Sequence, residues 1–200
     1  EPQKGFEGDM VSGIGLFGSG ADNEVYSFGE EVFKICKKYM FLRETLKPYI
    51  KEQPEIVKRM VDEGHLVCNH TSHHPSMASI LDTEKFNKEF TEVEEEFKSL
   101  TSQDMPKFFR PPMGKYSKNS LKKTQDLGYK TIFWSFAYKD WLVDNQPEES
   151  AAIKKIVNGA HPGSIMLLHA VSDTNTKILK TVIQELKAQG YEFKSLNELP

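Results

Sequence analysis

The chain has 200 residues, 38% of them hydrophobic and 28% charged, which suits one globular domain with a sizeable core. Its net charge of −3 leaves no basic excess to neutralise phosphates, so nucleic acid is excluded as the main partner. No apolar run reaches the ~18 residues needed to span a bilayer, and no signal peptide is visible; because the first residue is Glu1 and not Met, a removed leader or anchor is expected.

Residues 1–24 are Gly-rich and weakly patterned and read as an extended N-terminal arm, followed by one domain over 25–200. A short strand is expected at 25–28 and a helix at 31–45. Pro54 in a first turn and Gly64 as a stop predict a helix over 54–63. An apolar strand at 65–69 then delivers His70. The strongest helical pattern follows: Asp82 or Thr83 as cap, then Phe86, Phe90, Val93, Phe97 and Leu100 at steps of four and three, a core-facing stripe. Glu94-Glu95-Glu96 within it reads as a solvated face. Further on, the text predicts strands at 107–109, 129–136, 164–168 and 191–193, and helices at 117–127, 149–157 and 174–189. Strand and helix alternate without a repeat or a Pro/Ser linker. That is the pattern of a parallel sheet or barrel with helices outside. His70, Arg110 and His169 each fall just after a strand, and in an α/β barrel those strand ends share one face.

Cys36 and Cys68 are too few for a disulfide framework and match no metal motif; Cys68 reads as a buried, inert thiol. The chemistry is concentrated elsewhere. In Asn69-His70-Thr71-Ser72-His73-His74-Pro75, His70 and His74 share a face if a helical turn follows the strand, and neutral imidazoles suit Zn²⁺, Co²⁺, Ni²⁺ or Mn²⁺. His73, between them, points elsewhere. Thr71 stands where a metalloprotease needs its glutamate, which weakens that reading. An isolated pair at this spacing is ordinarily two surface or capping histidines, so the other segments decide. Arg110 follows Phe108-Phe109 and precedes Pro111-Pro112, whose fixed φ makes a rigid loop; a guanidinium held there can grip a carboxylate. Asp140-Trp141 follows a strand. His169 ends the apolar Leu167-Leu168 and, oriented by a carboxylate such as Asp140, suits a general acid.

In this order, the four segments resemble the polysaccharide deacetylases, carbohydrate esterase family 4 or NodB homology domain, over roughly residues 25–198. His70-Thr71-Ser72-His73-His74 matches the H-(S/T)-x-x-H metal motif, and Arg110-Pro111-Pro112-Met113-Gly114 matches R-x-P-x-G. Asp140-Trp141 and Leu167-Leu168-His169 match the D-x/W and L-x-H elements. The surrounding text looks most similar to the PdaA-like branch, N-acetylmuramic acid deacetylases of δ-lactam formation in spore cortex peptidoglycan. The resemblance implies an α/β fold, a distorted (β/α) barrel of the NodB type. It implies a divalent metal, Zn first and Co, Ni or Mn as alternatives, held by an aspartate and by His70 and His74. It makes Arg110 the orienting partner of an aspartate base, His169 the acid that protonates the leaving amine, and Asp140 the partner of His169. Met113 would contribute its backbone N–H to the oxyanion, Leu167 would line the acetyl pocket, and Trp141 would wall the sugar site. Peptidoglycan glycan strands are the implied partner, a monomer the expected state, and the cell envelope or exterior of a bacterium the implied location.

One motif departs from the family. Its first motif, T/S-F-D-D/x-G, supplies the metal-binding aspartate and the base; here the text is Tyr26-Ser27-Phe28-Gly29-Glu30-Glu31, without the aspartates. Three accounts stand open: residues absent between Phe28 and Gly29, Glu30 or Glu31 serving instead, or a non-catalytic glycan-binding relative.

Overall fold

The computed structural model describes residues 50–199 except 52 and 171. The predicted arm at 1–24, the strand at 25–28, the helix at 31–45 and the Phe28–Gly29 motif lie outside the described residues. The described chain forms two compact units, one of 50–62 with Val67–Phe133, the other of Glu63–Leu66 with 134–199.

In the first unit, α1 (Pro54–Asp62) buries Val57 and Met60. Helix α2 (Thr83–Thr101) starts where Asp82 accepts a bond from the Lys85 N–H, and ends on Ser102 in the left-handed region, φ 58°. Four of the five predicted stripe residues, Phe86, Phe90, Val93 and Phe97, are buried in the core, while Leu100 is only half-buried. Phe86 and Phe90 join Met77, Phe109 and Tyr129 in one cluster. Removing either ring would cost about 3–5 kcal/mol at such full burial. The predicted solvated face is only partly so. Glu95 is exposed, whereas Glu94 and Glu96 are half-buried, with Glu94 bonded to Lys107 and Tyr129 and Glu96 paired with Lys51.

Three parallel lanes position the chemistry of this unit. Strand β1 (Phe108–Phe109) pairs with β2 (Lys130–Thr131), Phe109 opposite Thr131. On the other side of β1, Asn69 makes a parallel bridge to Phe109. The segments leaving these lanes begin at His70, Arg110 and Ile132. Between β1 and β2 runs α3 (Lys118–Asp126), started by a reciprocal Ser117–Ser120 capping box. It is stopped at Gly128, whose φ of 81° only glycine adopts without strain.

The second unit contains β3 (Phe136–Ala137), α4 (Glu149–Asn158), β4 (Met166–Leu167) and α5 (Asp173–Ala188). β3 and β4 are parallel, Ala137 opposite Leu167. The two helices pack through Ala152, Ile156, Val157, Ile178, Val182 and Leu186, with Tyr138 in the same cluster.

Several strand predictions are corrected. The run at 129–136 is not one strand: β2 ends at Thr131 and β3 begins at Phe136, because the chain changes partner from β1 to β4 in between. The strand at 65–69 shrinks to the single bridge at Asn69, and that at 164–168 to β4. Residues 191–193 form no strand; the Tyr191 N–H instead closes the end of α5 on the Leu186 carbonyl at 3.1 Å. No helix among the described residues is long and apolar enough to cross a membrane.

Candidate active site

The loop after Asn69 is built by buried polar contacts. The Asn69 side-chain amide donates to the Phe90 carbonyl at 3.2 Å and to the Tyr129 hydroxyl at 3.0 Å, and its Oδ1 accepts the Thr71 N–H at 2.9 Å. The Thr71 Oγ1 accepts the His74 N–H at 2.9 Å. From α2, one Glu89 oxygen accepts the N–H groups of Ser72 and His73 at 3.0 and 2.8 Å. Its other oxygen meets His73 Nδ1 at 3.0 Å. His73 thus turns outward, as its place between the pair predicts.

His70 and His74 do meet, with ring centroids 4.9 Å apart at 72°. They do so without the helical turn that the spacing suggests: Thr71 and His74 have φ of 73° and 53°, the left-handed region. Each such non-glycine residue costs of order 1–3 kcal/mol and persists only where its surroundings hold it, here the Asn69 and Glu89 contacts. His70 Nδ1 lies 2.6 Å from the Arg110 carbonyl oxygen. A carbonyl only accepts, so Nδ1 carries a proton, and in the neutral ring the lone pair then lies on Nε2, the state a metal ligand needs.

Arg110 is bound into the same lanes, its N–H donating to the Asn69 carbonyl at 3.2 Å. Although the residue keeps some exposure, burial of the guanidinium draws its pKa down to about 10, against a small opposing effect of Cys68. Among the described residues no carboxylate forms an ion pair with it. Cys68 is half-buried, not fully buried as expected, and desolvation pushes its thiol up to about 12, in keeping with an inert thiol. The next residues form a tight turn, Pro112–Gly114, with Met113 at φ 57°, Gly114 donating to Pro111 and Lys115 to Pro112.

The second unit holds the other predicted residues. Asp140, at 0% exposure, accepts three N–H groups. His169 Nδ1 reaches Oδ1 at 2.5 Å, while the His169 backbone N–H and the Asn175 amide reach Oδ2 at 2.8 and 2.7 Å. The carboxylate thereby fixes both the ring and the main chain of His169. Trp141 stands edge-on to the His169 ring, centroids 5.3 Å apart. Leu167 is buried in β4, two residues ahead of His169.

His70, His74, Arg110 and Met113 therefore belong to one unit, and Asp140, Trp141, Leu167 and His169 to the other. The two imidazoles suit a divalent metal as neutral ligands, and the Nδ1–H of His70 on the Arg110 carbonyl leaves its Nε2 as the coordinating atom. Among the described residues no group of three or more His, Cys, Asp or Glu completes such a set. Sequence reasoning missed Asn69, Glu89 and Asn175. Each works through a contact at least 15 residues away in sequence, and the local signals are the Asn69 Oδ1–Thr71 N–H turn and the Ser172–Asn175 cap.

Comparison with known proteins defines the class. Residues 34–132 match the family "Polysaccharide deacetylase". Over 151 residues, 76% of this chain, it is 42% identical to the peptidoglycan-N-acetylmuramic acid deacetylase PdaA of Bacillus subtilis. It is 32% identical over 150 residues to the peptidoglycan-N-acetylglucosamine deacetylase PgdA of Listeria monocytogenes. The solved structure of Bacillus subtilis PdaA, a family 4 carbohydrate esterase, superposes with a TM-score of 0.72 at 37% identity, covering 84% of this chain and 73% of that one. The chain belongs to the polysaccharide deacetylase family, and its fold class is that family's, α/β of the distorted (β/α) barrel type. The matched stretch spans 57% of the full length of PdaA and 30% of PgdA.

Proposed function

We propose that the protein is a metal-dependent N-deacetylase of peptidoglycan amino sugars, with N-acetylmuramic acid, as in δ-lactam formation in the spore cortex, the first substrate. The observation that carries the reading is the His70 ring, locked by the Arg110 carbonyl into the tautomer that offers Nε2, beside His74. The similarity to PdaA supports the muramic acid assignment, and PgdA sets N-acetylglucosamine as the competing sugar.

In this reading His70 and His74 hold the metal, Zn²⁺ first and Co²⁺, Ni²⁺ or Mn²⁺ otherwise. When bound, the ion supplies Lewis-acid polarisation of the N-acetyl carbonyl and of a water. Arg110 orients the base, and the Met113 backbone N–H stabilises the developing oxyanion. Leu167 lines the acetyl pocket and Trp141 walls the sugar. His169, its Nδ1 fixed on Asp140, gives a proton from Nε2 to the leaving amine. The third ligand and the base would come from the first motif, either from residues absent between Phe28 and Gly29 or from Glu30 or Glu31. The implied setting is the bacterial envelope, with glycan strands as partner and a monomer as the working form.

The text of that first motif favours one second reading, a relative that binds glycan without turnover. The test is acetate and amine release from muramic-acid-containing glycan with added Zn²⁺. Release that falls at least about 100-fold in His169→Ala is expected. Zinc binding lost in His70→Ala but kept in His73→Ala would accompany it. Unchanged release in His169→Ala overturns the acid assignment. Glycan binding without acetate release under any metal selects the non-catalytic reading.

A further inference from the structure

The Asp140–His169 pair is held from behind by a residue that neither the motifs nor the family match single out. The Asn175 side-chain amide donates to Asp140 Oδ2 at 2.7 Å and to the His169 carbonyl at 3.2 Å. One NH₂ group therefore grips the carboxylate and the main chain of the histidine together. Its orientation is fixed as well: the Tyr138 hydroxyl donates to Asn175 Oδ1, so Oδ1 faces Tyr138 and the NH₂ faces Asp140. Burial first, and the neighbouring Asp140 second, push ionisation of the Tyr138 phenol up, which keeps it a donor. The backbone of Asn175 is tied down too, its N–H donating to the Ser172 Oγ at 3.1 Å in the first turn of α5. Asp140 and Asn175 are 0% exposed and His169 1%, so bulk water is not at hand to replace a lost donor.

We propose that Asn175, oriented by Tyr138, is the positioning residue that sets the rotation of the Asp140 carboxylate and thereby the aim of the His169 ring. The proposal rests on the role given to His169 above. The physical reason is that a buried carboxylate needs its lone pairs filled, and a carboxylate with one donor fewer rotates towards those that remain. His169 supplies the two remaining donors, from ring and main chain, so any rotation of Asp140 is passed to the ring. Asn175 touches neither substrate nor the reacting atoms; it acts through Asp140.

The test uses the full chain as wild type, Asn175→Leu, which keeps the volume, and Tyr138→Phe, which removes only the hydroxyl. The first readout is the proton NMR resonance of His169 Nδ1–H, strongly deshielded by the short bond to Asp140 and independent of turnover. It is expected to vanish or move upfield in Asn175→Leu and to shift the same way, less far, in Tyr138→Phe. The second readout is kinetic: kcat on muramic-acid-containing glycan falls roughly 10- to 100-fold in Asn175→Leu, as for other orienting partners. KM stays within about twofold, the sign of an effect confined to the chemical step. A cooperatively melting Asn175→Leu that keeps both the resonance and its kcat overturns the proposal. Should that variant not fold, an unchanged resonance in Tyr138→Phe overturns it alone. If wild type releases no acetate, the catalytic reading fails, while the resonance still decides what Asn175 does to the pair.

Discussion

Asn69→Ala should destabilise the protein by about 3 kcal/mol and loosen the histidine loop. The side chain of Asn69 makes three hydrogen bonds, to Phe90, Tyr129 and Thr71, and the residue is 1% exposed. A typical buried bond contributes about 0.5–1.5 kcal/mol net, and a donor left buried without a partner costs about 1–3. The Thr71 N–H is that donor, since Thr71 is 0% exposed. The Phe90 carbonyl lies inside α2, and the Tyr129 hydroxyl still donates to Glu94 at 2.5 Å, so those partners suffer less. Losing the Asn69 contact also removes what holds Thr71 at φ 73°, so the His74 N–H loses its fixed acceptor. Urea unfolding followed by circular dichroism gives the stability change from the midpoint at constant m-value. Zinc titration of the same variant should show weaker binding. A loss under 1 kcal/mol with zinc affinity unaltered would refute the claim that Asn69 builds this loop.

Two further outcomes are expected. At Gly159, the end of α4, an added Cβ would sit 2.3 Å from Phe136 Cδ2, 2.5 Å from Cε2 and 3.2 Å from the Lys155 carbonyl oxygen. Gly159→Ala should therefore cost about 1–3 kcal/mol by overpacking, and a neutral or stabilised variant in the same urea assay would show that Phe136 moves aside freely. His65 is 4% exposed, and burial lowers its pKa below the ordinary 6.5, with Glu63 opposing. Above pH 6.5 the group is neutral in both states and has no effect. As pH falls through 6.5 the unfolded chain takes up a proton that the folded one does not, so stability drops by up to about 1.4 kcal/mol per pH unit until the lower folded pKa is reached. The difference in unfolding free energy between wild type and His65→Gln, followed from pH 7.5 to 5, should carry this slope; a flat difference would sink it.

How much could be read in advance follows from the range of the forces involved. The helices were legible because their signals are local. The Phe86–Phe97 stripe, the Asp82 cap and the Gly128 stop all lie within a few turns of what they determine. The strands were legible as positions but not as lengths, since a strand's extent depends on its neighbour. The run from Tyr129 to Phe136 is uniformly strand-like, yet it is divided because β1 and β4 claim different parts of it. The same distinction runs through the candidate site. The four-residue spacing of His70 and His74 announced a pair but suggested the wrong backbone. The left-handed Thr71 depends on Asn69, which is itself held by α2 and Tyr129, 21 and 60 residues away. The Asp140–His169 contact was foreseeable from the types of the two residues. The amide behind it was not, because nothing about an asparagine in the first turn of a helix announces a buried carboxylate.

The backbone of residue 110 has a job separable from the guanidinium that the residue carries. Its N–H and C=O bracket residues 69 and 70, one stitching the lanes and the other setting a proton on an imidazole. Any amino acid except proline retains both groups. Replacing the arginine consequently removes its side chain, charge and packing together, while the imidazole keeps the carbonyl that sets its tautomer. Descendants of this chain that discard the arginine would inherit a correctly primed histidine and lose only what the side chain itself contributes.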